Sequence, residues 1–91
     1  MTAMSELAIQ VLNEVSETMT PAEIQDAKFL LSEREFGIVL QTCLGHAIAN
    51  GMSIPQSLLT EIKSVVDSPS SGRHAAQISI QVEELSASCA A

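Results

Sequence analysis

A stretch without charged side chains constrains the fold more than any other feature: residues 36–60 contain no Asp, Glu, Lys or Arg. Within it, apolar residues recur at steps of three, one and four, the spacing of one wide face of an α-helix. The residues of this stripe are Phe36, Val39, Leu40, Cys43, Leu44, Ala47 and Ile48. The opposite side is small or uncharged, with Ile38, Gln41, Thr42, Gly45 and Ala49. We therefore expect a central helix with close neighbours on two faces.

Both ends of this helix carry capping signals. Ser32 is followed three residues later by Glu35, the spacing at which a serine and a glutamate satisfy each other's backbone N–H groups. Asn50 and Gly51 favour the left-handed conformation that closes a helix. We expect a central helix over residues 33–50 with Ser32 as its cap, although Phe36-Gly37 leaves open a start one or two residues later.

The spacing of apolar residues and the position of capping residues predict the neighbouring helices. Thr20-Pro21-Ala22-Glu23 combines a capping threonine, a proline at the first helical position and a glutamate that completes the box. Apolar spacing indicates a first helix before it and a fourth helix after Pro55. The sequence thus predicts helices over residues 5–19, 21–31, 33–50 and 55–67, and its Ser/Pro/Gly composition predicts a loop over residues 68–73.

The last segment fits two patterns. Ile78, Ile80 and Val82 alternate as in a strand, whereas Ala75, Ile78, Val82 and Leu85 have helical spacing. A lone strand would lack a pairing partner, and Ala, Gln and Glu suit helices. We favour a fifth helix over residues 75–86, with residues 86–91 frayed. The predicted fold is all-α, one domain over residues 1–91, with four to five short helices around the central one.

Composition limits the classes of function. The 91 residues suffice for one domain with a modest core, which must be aliphatic because the chain has two Phe and no Tyr or Trp. Eleven acids against four bases give a net charge of −7. This balance disfavours nucleic acid and anionic membranes, both of which select cations, and favours a basic protein partner.

The compartment is expected to be the cytoplasm. Residues 1–10 lack the basic and long apolar segments of a secretory signal, and no apolar run is long enough to span a membrane. Cys43 falls on the apolar stripe and Cys89 near the last residue, which suggests reduced thiols rather than a disulfide framework.

No residue constellation predicts catalysis. His46 has no Asp, Glu or Cys four residues away, so we interpret it as a part-buried structural histidine with one hydrogen bond. His74 is expected to be solvated, and Cys43 to act as a small hydrophobe. Metal ligands, an activated nucleophile and a phosphate-binding glycine loop are all missing. We expect no enzyme activity, catalytic residue, metal, cofactor or small-molecule substrate.

The acidic residues are the remaining candidates for function, with a merely solvated surface as the alternative. Complementary charge would speed the encounter with a cationic protein surface and set specificity. We predict a partner-binding surface made of acids around the junction of helices two and three, acids along helix four, and an apolar anchor. These residues are Glu23, Asp26, Glu33 and Glu35, then Glu61 and Asp67, then Ile38 and Met52.

One pattern extends over several of these helices: LSEREFGIVL at residues 31–40, then Leu44, then MSIP at residues 52–55, then Leu58 and Ile62. This pattern resembles that of MafI-like immunity proteins. The resemblance covers about residues 20–66. It implies a bacterial cytoplasmic protein, as in contact-dependent inhibition systems, that neutralises the C-terminal domain of one cognate toxin. Such toxins are often nucleases, especially ribonucleases, whose substrate-binding surfaces are basic.

Two other readings stay open at this point. The chain could be a non-enzymatic helical adaptor or regulatory module, including a homo-oligomer that packs through Gly45 and Ala49 of the central helix. It could also mimic nucleic acid towards another DNA- or RNA-binding protein.

Overall fold

Five α-helices account for most of residues 4–67 and 74–89, the part of the chain that the computed structural model describes. They are α1 Met4–Val15, α2 Pro21–Ser32, α3 Phe36–Ala49, α4 Gln56–Val66 and α5 Ala75–Cys89, with a 3-10 turn at Ser16–Thr18. The described residues contain no strand, so the predicted all-α class is confirmed. The predicted loop 68–73 lies outside the described residues.

The uncharged helix α3 lies in the middle of the fold, as predicted. It packs against α1, α2 and α5, while α4 packs against α5 and α1. Five stripe residues are fully buried: Val39, Leu40, Cys43, Leu44 and Ala47. Leu7, Val11 and Val15 of α1 and Leu59 and Ile62 of α4 complete this aliphatic core. The Cα radius of gyration, 12.0 Å, is close to the value of about 12 Å expected for a compact domain of this length.

Helix α5 packs on the small-residue side of α3. The side-chain amide of Gln81 donates to the carbonyl of Gln41 at 3.0 Å. A β-carbon on Gly45 would lie 3.3 Å from Gln81 Nε2, so glycine allows this close approach. Gln81 of the chain's own α5 therefore packs on Gly45, which is half-buried, while Ala49 on the same predicted face is exposed.

The ambiguous last segment is a helix, and its buried residues follow the helical spacing. Ile78, Val82 and Leu85 are almost completely buried. Two expectations for this region were wrong. The helix continues to Cys89 instead of fraying from Ser86, and His74 is half-buried because it packs on Gly37, where an added β-carbon would lie 3.2 Å from the imidazole.

The predicted capping box at the start of α2 is confirmed. The backbone N–H of Thr20 donates to Glu23 Oε1 at 2.8 Å, and the backbone N–H of Glu23 donates to Thr20 Oγ1 at 3.2 Å. Pro21 occupies the first helical position, where its missing N–H has no cost.

The predicted capping box between Ser32 and Glu35 is wrong. Ser32 is the last residue of α2, and its hydroxyl donates back to the carbonyl of Phe29 at 2.6 Å. Glu35 precedes α3 without a side-chain capping bond. Helix α3 starts at Phe36, three residues after the predicted start at Glu33 and so later than the one or two residues that the sequence left open. This later start frees Ser32 to extend α2.

A left-handed residue ends α2 in place of that box. Arg34 has φ 60°. Its backbone N–H donates to the carbonyl of Leu31 at 3.1 Å, and the backbone N–H of Glu35 donates to the carbonyl of Leu30 at 2.9 Å. These two bonds define a Schellman motif, which normally places glycine where Arg34 stands. Gly51, with φ 63°, is the left-handed residue that ends α3. There the backbone N–H of Met52 donates to the carbonyl of Ala47 at 2.9 Å.

We predict that Arg34→Gly stabilises the protein by about 1 kcal/mol, because a side chain in the left-handed region costs energy that glycine avoids. Urea unfolding measures the change. Arg34→Ala is the matched control, since it removes the charge but keeps the β-carbon, and it should leave stability within about 0.5 kcal/mol. Equal stabilisation by both variants would assign the effect to charge instead of backbone strain.

Candidate protein-interaction surface

All eleven carboxylates of the chain lie in the described residues, and all are exposed. Lys63 binds two of them, with Nζ 3.2 Å from Glu83 and 3.9 Å from Asp67. Glu23 lies 3.8 Å from His46. The other eight form no ion pair with any described residue. The surface is thus strongly negative, and most of its carboxylates are available to a partner.

The predicted acids do not form one cluster. Glu23 is at the first turn of α2 and Glu33 at its end, ten residues away, which is about 15 Å along a helix. Asp26 and Glu33 share the outer side of α2, and Glu35 follows in the turn to α3. Glu61 is exposed on α4, and Asp67 at the end of α4 is engaged by Lys63.

The predicted apolar anchors are less accessible than expected. Ile38 and Met52 are both half-buried, and the sulfur of Met52 lies 3.0 Å from the hydroxyl of Thr18. Their role in binding stays a prediction. Among the described residues the large apolar side chains with most exposure are Phe29 at 62%, Ile80 at 51% and Ile9 at 47%.

Phe29 was missed at the level of the sequence, although a signal was present. Helix α2 buries Ala27, and Ile24 and Leu30 are half-buried beside it. Phe29 follows Ala27 by two residues, which turns it about 200° around the helix and away from the core. The only phenylalanine outside the core stripe therefore had to face solvent.

The outer face of α2 is a continuous exposed strip, made of Ala22, Gln25, Asp26, Phe29, Ser32 and Glu33. Asp26 lies one turn before Phe29 and Glu33 one turn after it. At these spacings side chains are neighbours, with β-carbons about 5–6 Å apart. A shallow groove of about 410 Å³ runs beside this strip, lined by Pro21, Ile24, Gln25 and Lys28.

A second polar feature, the His46 network, links distant segments through Thr18, Glu23, His46, Asn50 and Met52. The hydroxyl of Thr18 lies 2.8 Å from His46 Nε2, and the side chain of Asn50 donates to the carbonyl of His46 at 2.8 Å. The His46 side chain is 12% exposed. The expected part-buried, hydrogen-bonded histidine is confirmed. Asn50 lies one turn after His46 along α3, but Thr18 and Glu23 come from other segments and could not be read from spacing within α3.

The order hydroxyl, imidazole, carboxylate resembles a catalytic relay, but the geometry does not support that role. Thr18 has one hydroxyl hydrogen, and the carbonyl of Val15 is a 3.2 Å acceptor for it. The hydroxyl hydrogen of Thr18 points to the Val15 carbonyl or the Met52 sulfur, so the 2.8 Å contact is assigned as His46 Nε2–H donating to Thr18 Oγ1. The distance from His46 Nδ1 to Glu23 Oε2, 3.8 Å, is also longer than a hydrogen bond. We interpret the network as structural.

The remaining candidates for chemistry are the thiol of Cys43 and the possible metal-binding side chains. Cys43 is fully buried, and burial raises the pKa of its thiol to about 11, which suppresses the nucleophilic thiolate. Residues 4–67 and 74–87 contain no group of His, Cys, Asp and Glu side chains arranged to hold a metal ion. Within the same described part, no helix has the length and apolar character needed to cross a bilayer.

Comparison with protein-family models, with curated proteins and with solved structures finds no match to this chain.

We predict a pH-dependent contribution of Glu23 to stability. The pKa of its carboxyl lies below the ordinary value of 4.5, chiefly because the backbone N–H of Thr20 binds the charged form, with smaller contributions from the Thr20 side chain and His46. A lowered folded-state pKa adds stability above the unfolded pKa, and this stability is lost as pH falls through the folded value. The urea midpoint of wild type should therefore exceed that of Glu23→Gln at about pH 7, and the two midpoints should converge as pH falls below the folded-state pKa.

Glutamine keeps the capping oxygen, so this substitution isolates the charge. The Glu23 carboxyl can also be titrated by NMR in native buffer and in urea, and the midpoint should be lower in native buffer. Parallel urea midpoints of the two proteins over the whole pH range would contradict the assignment.

Proposed function

We propose that this protein is a bacterial cytoplasmic immunity protein, which binds and neutralises the basic domain of a cognate toxin, a nuclease acting on RNA. The supporting observation is the surface: eleven exposed carboxylates, of which eight have no ion-pair partner in the described residues. A surface of this kind complements a cationic substrate-binding site.

The proposed mechanism is electrostatic and steric blockade. Negative potential would accelerate the encounter, and carboxylates would then occupy the positions that RNA phosphates take on the toxin. Each contact would be a charge-assisted hydrogen bond to a Lys or Arg of the toxin. A standard interface buries about 800 Å² per partner, a modest share of the 5352 Å² accessible surface.

A helical adaptor would use the same acidic surface, so the partner's identity separates the two functions. Self-association is less favourable on two grounds. Gln81 packs on the small-residue position at Gly45, and two copies would each bring a charge of −7 to the interface.

We predict that a toxin domain is encoded beside this gene, and that co-expression of this protein with that domain restores growth and yields a complex on size-exclusion chromatography. An unrelated small acidic helical protein is the control, and it should give neither result. Protection by the control, or the absence of a complex with this protein, would refute the immunity function.

We also predict that Glu33→Lys combined with Glu35→Lys slows association with this toxin domain about tenfold and weakens its salt dependence, because steering depends on charge at the contact surface. Glu14→Lys with Glu17→Lys makes the same change in net charge at the end of α1 and in the 3-10 turn after it. Stopped-flow rates at several salt concentrations measure both pairs. Equal slowing by the two pairs would mean that net charge, and not the α2–α3 turn, steers the encounter.

A further inference from the structure

We propose that Phe29, Asp26 and Glu33 form a receptor for one arginine side chain of a basic protein partner, with the guanidinium stacked on the Phe29 ring between the two carboxylates. This inference deepens the proposed function and rests on it for the identity of the partner. The receptor itself is a property of α2 and can be tested separately.

The first argument is exposure without a structural reason. Phe29 is 62% exposed, whereas Ala27 on the opposite side of α2 is buried in the core. Alanine would favour the helix more than phenylalanine at an exposed position. The free protein therefore gains little from this ring, while a desolvated aromatic side chain is a common source of binding energy in interfaces.

The second argument is the unsatisfied charge around the ring. Asp26 and Glu33 lie one turn before and one turn after Phe29, both are exposed, and neither forms an ion pair with a described residue. An aromatic face attracts cations through its quadrupole, and carboxylates beside it add charge-assisted hydrogen bonds. Arginine suits this arrangement better than lysine because its planar guanidinium stacks and binds carboxylates with two donors.

The other exposed apolar residues lack this combination. Ile80 has two acids one turn after it, but Glu83 already binds Lys63 at 3.2 Å. Ile9 has Glu6 one turn before it and Asn13 one turn after it, and isoleucine has no π face. Phe29 alone among these three combines an aromatic ring with uncompensated carboxylates on both sides along the helix.

The receptor can be tested without the toxin, because the chain has only two Phe, two His and no Tyr or Trp, so its aromatic NMR spectrum is simple. The probe is the peptide acetyl-Gly-Arg-Arg-Gly-amide, with the Lys-Lys peptide as control. We expect saturable shifts of the Phe29 ring protons and none for Phe36, at least about threefold weaker binding of the Lys peptide, and a similar loss in Asp26→Asn with Glu33→Gln. Absent Phe29 shifts, or shifts that the double substitution leaves unchanged, would overturn the receptor.

The second test uses the complex with the toxin domain. Phe29→Ala should raise Kd at least about 30-fold and Phe29→Leu at least about fivefold, the ranges of a hot spot and of a lost cation–π contact. Ile80→Ala, a truncation of similar exposure, should change Kd less than about threefold. Urea unfolding confirms that all three variants fold.

The two proposals fail in different ways. A complex whose Kd is unaffected by Phe29→Ala would refute the arginine receptor and leave the immunity function intact. Shifts of the Phe29 ring with the Arg peptide, together with no binding of the toxin domain, would support the receptor and refute the immunity function.

Discussion

Enclosure of α3 is the constraint on which the rest of the structure depends. Because α3 has no charged side chain and little aromatic volume, the fold must surround it with aliphatic faces of other helices. Helices α1, α2 and α5 do so, and α4 packs on two of them. Each of these outer helices carries carboxylates on its solvent side. The negative surface follows from this division of the sequence into an uncharged centre and acidic outer helices.

The same constraint explains the tight contacts between α3 and the C-terminal segment. A central helix with neighbours on two faces needs one face on which a second helix can approach closely. Gly45 provides it beneath Gln81, and Gly37 provides it beneath His74. The carbonyl of Gln41 binds the amide of Gln81 at 3.0 Å, so α5 is fixed by a polar contact as well as by Ile78, Val82 and Leu85.

Most of the fold could be predicted from the sequence because periodicity and local capping determined it. The Thr20–Glu23 box and the turn at Gly51 depend on adjacent residues, and both were predicted correctly. The box at Ser32 was not, because it was predicted as the N-terminal cap of α3, whereas Ser32 belongs to α2, which ends in the Schellman motif at Arg34. The partners of His46 lie 28 residues away at Thr18 and 23 residues away at Glu23, distances that helical spacing cannot reveal.

The role of the predicted acids in binding stays a prediction, and the structure spreads them over α2, the turn to α3, and α4. Only Ala27 of α2 is fully buried, but Ile24, Leu30 and Leu31 also pack against the core. The Thr20 box, the Schellman motif and the contact of Glu23 with the His46 network fix the ends of α2 in addition. The residues on the outer face of α2 therefore have no role in packing the core. Substitutions at Asp26, Phe29 or Glu33 should therefore cost little in stability. A binding protein that must match one particular partner gains from such a separation, because recognition can diverge on α2 while the aliphatic core around α3 stays the same.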